Sequence, residues 1–438
     1  MPDQATADPA AAPENTGPEN TAPENTAPEN PAPGNSAPGF AAPDFADQEI
    51  AAVEIVGVRT VDLAPEPAWP GADAADLAGL VTELIGDQAG AWDLDGHIPR
   101  EIVRELGRAG VLCAQAPAAH GGLGLSNVDA GELTAHVGAL CSSTRSLMTS
   151  QGMAAWTVER FGDDAQRAEY LGRLTAGETA GVAFSEPGAG SDLSGMATRI
   201  ETEGDSVVVT GQKVWVTGAA YADLLVVFGR VGEGAGAVLV PTDAPGVTVT
   251  RVPDPLGCRA AGHADVLLDG VRLPADHVLA GAGLPLEWLV TSALTYGRLS
   301  VAWGCVGILR GCLAETTRHA RTRQQFGRPL ADHQLVARHL AELHVAERAA
   351  TALCAEAARG RDAGGPEHVS AAVTAKHFAA GAAVRGAASA VQVLASAGAR
   401  DGHPVARAHR DAKLMEIIEG STEIGQLLLA DHALAVWS

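Results

Sequence analysis

Three groups of residues in this chain combine types and spacing that could do chemistry. The first is Phe184-Ser185-Glu186-Pro187-Gly188-Ala189-Gly190-Ser191-Asp192, with hydroxyls towards both ends and small residues between. A loop of that make-up brings backbone N–H groups and hydroxyls close to a flat polar ligand; it also serves as an ordinary turn. The second is Gly211-Gln212-Lys213-Val214-Trp215-Val216-Thr217-Gly218. On a strand, Trp215 and Thr217 stand two apart and share a face. An aromatic wall beside a hydroxyl donor suits a heteroaromatic ring such as an isoalloxazine, and suits a hydrophobic core equally. The third is Arg410-Asp411-Ala412-Lys413 followed by Ile418-Glu419-Gly420-Ser421-Thr422, a carboxylate after isoleucines at a helix end. In apolar surroundings the Glu419 carboxyl rises towards neutrality and becomes a general base; in water it is a solvated helix end.

Other chemistries find little support. HExxH, GxSxG and GxxxxGK[ST] are absent, and the GEGAG run at 232–236 falls between two strands, as a hairpin does. His333, His339 and His344 are not spaced as helical metal ligands, so no metal site is expected. Six cysteines are scattered without a CxxC pair and read as buried free thiols. Net charge is −23, and the first 50 residues contribute nine acids with no Lys or Arg. An acidic body argues against nucleic acid or anionic membrane as a partner. No signal peptide and no apolar run long enough to span a membrane is seen, so a cytoplasmic location is expected.

Several elements must position these groups. Residues 1–48 repeat Pro every five residues and predict a disordered acidic tail, followed by a linker at 49–72 whose segment 49–64 could form a strand. From 73 to 180 the apolar spacing is helical, as in Leu77, Leu80, Val81, Leu84 and Ile85. The period then shortens. Segments 181–185, 206–210, 214–217, 224–228, 237–241, 247–252 and 266–268 predict a small β-sandwich or barrel across 181–284. From 285 to 438 longer helical patterns return at 294–322, 332–361, 367–397 and 410–418, enough for a bundle. The fold class is therefore α+β, mostly α: helices, a central β-domain, then a helical bundle.

Taken together and in this order, the three groups resemble the acyl-CoA dehydrogenase flavoprotein family over residues 76–435. The resemblance implies a C-terminal four-helix bundle, FAD as cofactor and a homodimer or homotetramer. It implies that Phe184, Ser185, Gly190 and Ser191 line the flavin, with Ser191 also near substrate. Trp215-Val216-Thr217 is similar to the family's W-[IV]-T motif beside the flavin ring. Arg323, Phe326 and Gln334 match a segment that contacts the FAD of a neighbouring subunit. Gln392 matches the start of the family's Q-x-x-G-G-x-G stretch. Glu419, with Ser421 and Glu423 behind it, matches the motif carrying the catalytic base. Arg298 matches an arginine that helps hold the thioester arm. Two departures stand out: Ala395-Ser396 where the family has Gly-Gly, and Thr295 where an acidic residue is frequent.

A narrower resemblance runs through 140–153 (LCSSTRSLMTSQGM), to the subgroup of polyketide extender-unit pathways. It implies a small hydroxylated acyl group on an acyl carrier protein, oxidised towards hydroxymalonyl or methoxymalonyl species. Ser142, Ser143 and Arg145 then become candidates for polar substituents, against helix capping and surface charge. The alternative is a CoA-thioester α,β-dehydrogenase of fatty or branched-chain breakdown. An electron-accepting flavoprotein is a further implied partner. A flavin monooxygenase or a non-catalytic scaffold would not need Glu419, which is present.

Overall fold

The computed structural model describes residues 72–437. The expected tail at 1–48 and the strand-like segment 49–64 lie outside the described residues. Helices α1 (Ala72–Ile85), α2 (Ala89–Asp95), α3 (Arg100–Arg108), α4 (Asn127–Leu140) and α5 (Ser142–Phe161) come first, then the short α6 (Asp164–Gln166), a π-helical turn and α7 (Gly172–Thr175). Ser126 opens α4 by accepting the Asp129 N–H at 3.1 Å. Gly96 closes α2 with a φ of 69°. α5 is buried on nearly every side, and its Ser146, Ser150 and Thr157 hydroxyls find carbonyl partners inside the protein.

Strands β1 (Ala180–Ala183), β2 (Arg199–Glu203), β3 (Ser206–Val216), β4 (Leu224–Val231), β5 (Gly234–Pro241), β6 (Val247–Arg251) and β7 (Ala264–Pro274) form one curled sheet. β4 is its hub, parallel to β1 and antiparallel to β5. The period of two splits β4 between two cores. Leu225 and Val227 join Val209, Val216 and Val266 inside the curl. Leu224, Val226 and Phe228 face Val158 and Phe161 of α5. α8 (Leu286–Thr322) packs on that same face through Leu289, Val290 and Ala293.

The remainder is the β8 (Gln324–Gln325)–β9 (Arg328–Pro329) hairpin, α9 (Gln334–Asp362), α10 (His368–Leu394), α11 (Pro404–Met415) and α12 (Thr422–Val436). α10 buries Ala375, Ala379, Ala382, Ala383, Ala387 and Ala390, small residues that let its backbone approach α8 and α9 closely. This is the mostly helical α+β architecture expected. All six cysteines are buried and free. Among the described residues no helix is long and apolar enough to cross a membrane.

The elements differ from expectation in instructive places. The segments 206–210 and 214–217 are one strand, β3, because pairing with β7 continues through Gly211 and Lys213 despite register shifts. β2 escapes a hydrophobic reading since only Ile200 of its five residues is buried; backbone pairing with β3 holds it. β1 stops at Ala183, which puts Phe184 and Ser185 in the loop beyond. α8 starts at Leu286, a turn and more before 294, and α11 ends at Met415 instead of 418.

Candidate active site

A cavity of about 1110 Å³ opens between the ends of β1 and β3, helices α5 and α8, and the turn joining α11 to α12. It is larger than most small-ligand pockets, which run to roughly 1,000 Å³.

The α11–α12 turn carries Glu419. Ile417 and Ile418 both donate their N–H groups to the Leu414 carbonyl at 3.0 Å, and Thr422 N–H reaches Glu416 O at 2.9 Å. Between them the backbone turns left-handed, φ 55° at Glu419 and 93° at Gly420. A non-glycine residue there costs on the order of 1–3 kcal/mol and needs surrounding structure to impose it. Two buried cations do so. Arg298 Nε donates to Glu419 O at 3.1 Å, and Lys376 Nζ donates to Gly420 O at 2.6 Å and Glu416 O at 3.4 Å. Ser421 then caps α12, accepting from Ile424 N–H at 3.4 Å. The carboxyl itself faces the cavity, and Oε2 is buried with no hydrogen-bond partner among the described residues. Burial pushes Glu419 above the ordinary carboxylate range, opposed by the charges of Arg298, Lys376 and Arg145. An ionisable carboxyl that faces a cavity with an unpartnered oxygen is equipped to take a proton from a bound ligand.

The opposite wall is the loop after β1. Glu186 anchors it, accepting from Lys213 Nζ at 2.7 Å, Thr198 Oγ1 at 2.5 Å and the N–H groups of Thr198 at 3.0 Å and Ala197 at 2.6 Å. Phe184 stacks on Phe228 at 4.2 Å between centroids. The sequence expectation that Trp215 and Thr217 share a strand face is corrected. Trp215 has φ 56°, the β3–β7 register shifts between Lys213 and Val216, and the strand ends before Thr217. The irregularity sends Val216 into the core and leaves the Trp215 ring 52% exposed at the cavity. Thr217 O accepts from Ser150 Oγ at 2.9 Å, while its hydroxyl lies 3.2 Å from His263 Nδ1.

Of the residues singled out from sequence, Phe184, Ser185, Gly190, Ser191, Trp215, Val216, Thr217, Arg145, Arg298, Glu419 and Ser421 meet at this cavity. Arg145 is fully buried, so it is no surface charge. Its Nη atoms donate to Thr149 Oγ1 at 3.2 Å and Met415 Sδ at 2.9 Å, and Nε has no partner among the described residues. Ser142 is buried at the start of α5 and does not line the cavity; its carbonyl accepts from Ser146 Oγ. Ser143 Oγ accepts from Ala260 N–H. Arg323, Phe326, Gln334 and Gln392 are exposed away from it, Phe326 by 94% at the tip of the β8–β9 hairpin. Glu423 is exposed in the first turn of α12. Ala395, where the family has Gly, takes a φ of 50° that glycine adopts freely. His263, Lys376, Thr149 and Gly297 were not legible as site residues, because a lone residue of each type carries no pattern.

The acyl-CoA dehydrogenase N-terminal, middle and C-terminal domain models match residues 74–178, 181–271 and 288–434. The probable acyl-CoA dehydrogenase YngJ of Bacillus subtilis (strain 168) is 33% identical over 358 residues, covering 80% of this chain and 94% of its own. The chain belongs to the acyl-CoA dehydrogenase family. It is an FAD-dependent oxidoreductase acting on acyl thioesters. A solved structure described as FkbI, for biosynthesis of the methoxymalonyl extender unit of the FK520 polyketide immunosuppressant, is 59% identical, with a TM-score of 0.79 and coverage of 82% of this chain and 99% of that one. A glutaryl-CoA dehydrogenase from Mycobacterium smegmatis, solved in complex with FADH2, is 27% identical with a TM-score of 0.78, covering 85% and 97%. The cavity fits the family's cofactor. Its β wall offers an exposed indole face, two loop serines and the Thr217 hydroxyl, and His263 Nε2, without a partner among the described residues, is buried in that same wall.

Proposed function

We propose that this acyl-CoA dehydrogenase oxidises a small polar acyl group carried as a thioester on an acyl carrier protein, on the way to a hydroxymalonyl- or methoxymalonyl-type extender unit. The observation that carries the reading is the 59% identity to FkbI, against 33% to YngJ. The chemistry of the α5 wall supports it. Arg145, Ser146, Thr149 and Ser150 all face the cavity, and among the described residues the Arg145 guanidinium has no hydrogen-bonded carboxylate. A buried cation with an unused donor is costly, so a hydroxyl or hydrated aldehyde on the acyl group is a favourable occupant.

In this reading Phe184, Ser185, Gly190, Ser191 and Trp215–Thr217 would hold the flavin ring. Bound FAD supplies the two-electron acceptor. Glu419 would take the hydroxyl proton at C3 of the acyl group, the C3 hydride being the pair that bound FAD would accept, while Arg298 and Lys376 keep the Glu419 turn in place. Arg323, Phe326, Gln334, Gln392, Ser421 and Glu423 contact cofactor, the exposed ones on a neighbouring copy in a homodimer or homotetramer. Electrons leave to a partner flavoprotein.

The alternative is α,β-dehydrogenation of an acyl-CoA, favoured by the apolar side of the same cavity at Leu286, Val290, Leu294, Ile424 and Leu428. There Glu419 removes a Cα proton instead.

An anaerobic titration of the holoenzyme, followed at the flavin absorbance, separates the two. Hydroxyacyl and aldehyde groups are offered on a carrier protein, and matched groups and simple acyl chains on CoA. Bleaching by the carrier-bound polar species alone supports the proposal. Bleaching by simple acyl-CoA replaces it with the alternative.

A further inference from the structure

His263 lines the cavity where the flavin is proposed to lie, with its Nε2 buried in the wall. Its ring is 5.7 Å from the Trp215 ring, its carbonyl accepts from Val252 N–H at 2.9 Å, and it is buried. A Cβ on the preceding Gly262 would lie 2.4 Å from the Tyr221 ring, so the chain here has one path. The imidazole is thereby held with Nδ1 3.2 Å from Thr217 Oγ1 and Nε2 without a partner among the described residues.

Two neutral tautomers are open to such a ring, and they do opposite things to Thr217. With the proton on Nε2, Thr217 donates its hydroxyl hydrogen to bare Nδ1. That hydrogen is then spent inside the wall, and a buried N–H is left with no acceptor. With the proton on Nδ1, the ring donates to Thr217 Oγ1, and only a lone pair is left unpaired at Nε2. Orphaned buried N–H groups are rarer than under-used acceptors. The second tautomer therefore wins, and it frees the Thr217 hydroxyl hydrogen to turn into the cavity. Burial, with the charges of Arg145 and Arg251, pushes His263 down to about 4, which keeps the ring neutral near pH 7.

We propose that His263 is a positioning residue that aims the Thr217 hydroxyl hydrogen at an acceptor atom of the flavin ring. The inference rests on the flavin placement proposed above. In this scheme His263 acts through Thr217.

The test uses the FAD-loaded enzyme and two readouts that need no turnover, the visible spectrum and the reduction potential of the bound flavin. Thr217→Val removes the donor, His263→Leu removes its director, and His263→Asn keeps an amide N–H able to reach Oγ1. The expected result is a shift in the same direction for T217V and H263L, largely restored in H263N. H263L should add nothing further in the T217V background. Should H263L lose FAD, His263→Phe keeps the ring volume without either nitrogen and takes its place. A shift in T217V with none in H263L, or shifts that add in the double variant, overturns the inference and leaves the flavin placement standing. No shift in T217V means the flavin is not beside Thr217, and the placement falls together with the role of His263.

Discussion

A β-carbon on residue 297 would lie 2.4 Å from Glu419 Oε2 and 2.8 Å from Met153 Sδ. Gly297 of α8 is thus the floor on which the Glu419 carboxyl rests, one residue before the arginine that holds the Glu419 carbonyl. Gly297→Ala should displace the carboxyl without touching the β wall. Turnover should fall while FAD content stays at the wild-type level, measured by flavin absorbance per protein. Equal turnover in G297A would show that the carboxyl works from another position.

Glu419→Gln keeps the size of the side chain and removes its basicity. Loss of a positioned general base costs about 10²–10⁴-fold in rate. Stopped-flow reduction of the flavin by substrate should slow by that factor, with ligand binding retained.

The pH profile of flavin reduction should carry the imprint of two buried groups. Glu419 must be ionised to act, and burial raises its value, so activity should fall on the acid side at a higher pH than an ordinary glutamate would give. The cations facing it, Arg298, Lys376 and Arg145, all oppose that rise. Lys376→Met removes one of them and should move the acid limb to still higher pH. Lys376 is itself pushed down to about 8 by burial. Its deprotonation weakens the hold on Gly420 O, so wild type should also decline on the alkaline side near there, and the variant should lack that limb.

Arg145→Met should raise KM for a hydroxylated acyl thioester and leave a plain acyl thioester nearly unaffected. Hydrogen bonds to a charged group contribute about 1.5–3 kcal/mol, or roughly 10–150-fold in affinity. Equal losses for both substrates would assign Arg145 to architecture, as its packing against Gly304 and Met415 also allows.

Lys213→Met should destabilise the β-domain by about 3–5 kcal/mol, since it strands the buried Glu186 carboxylate. Burial alone would raise the Glu186 value, but hydrogen bonds from Lys213, Thr198 and Ala197 hold it below the ordinary range. A depressed carboxyl contributes stability above its unfolded value that is lost as pH falls through the folded one. The gap in denaturant midpoint between wild type and K213M should therefore narrow as pH drops through the carboxylate range.

Much of this molecule was legible before any coordinates. The helix–strand–helix order follows from hydrophobic period, because a helix buries every third or fourth residue and a strand every second. The carboxylate at Glu419, the loop at Ser185–Ser191 and the Trp215-Val216-Thr217 run, which share the cavity, were visible because motif spacing survives in one dimension. β2 was not, since a strand held by backbone pairing with polar side chains leaves no apolar trace. α12 was missed for a related reason: it buries none of its residues, so nothing in its pattern marks one face.

What only the tertiary structure decided is which isolated residues share one cavity. Arg145 and Glu419 lie far apart in the chain, yet both line it, and Arg145 became a buried cation because Gly138 and Gly304 leave room for its stem. Lys376 reached the Glu419 turn from α10, and His263 reached Thr217 from the start of β7. The sequence by itself determined the element order and the family, and it singled out Glu419 as the candidate base. It could not determine those partnerships, because a lone lysine, histidine or glycine has no periodicity, and only packing tells which carbonyl, hydroxyl or carboxyl it meets.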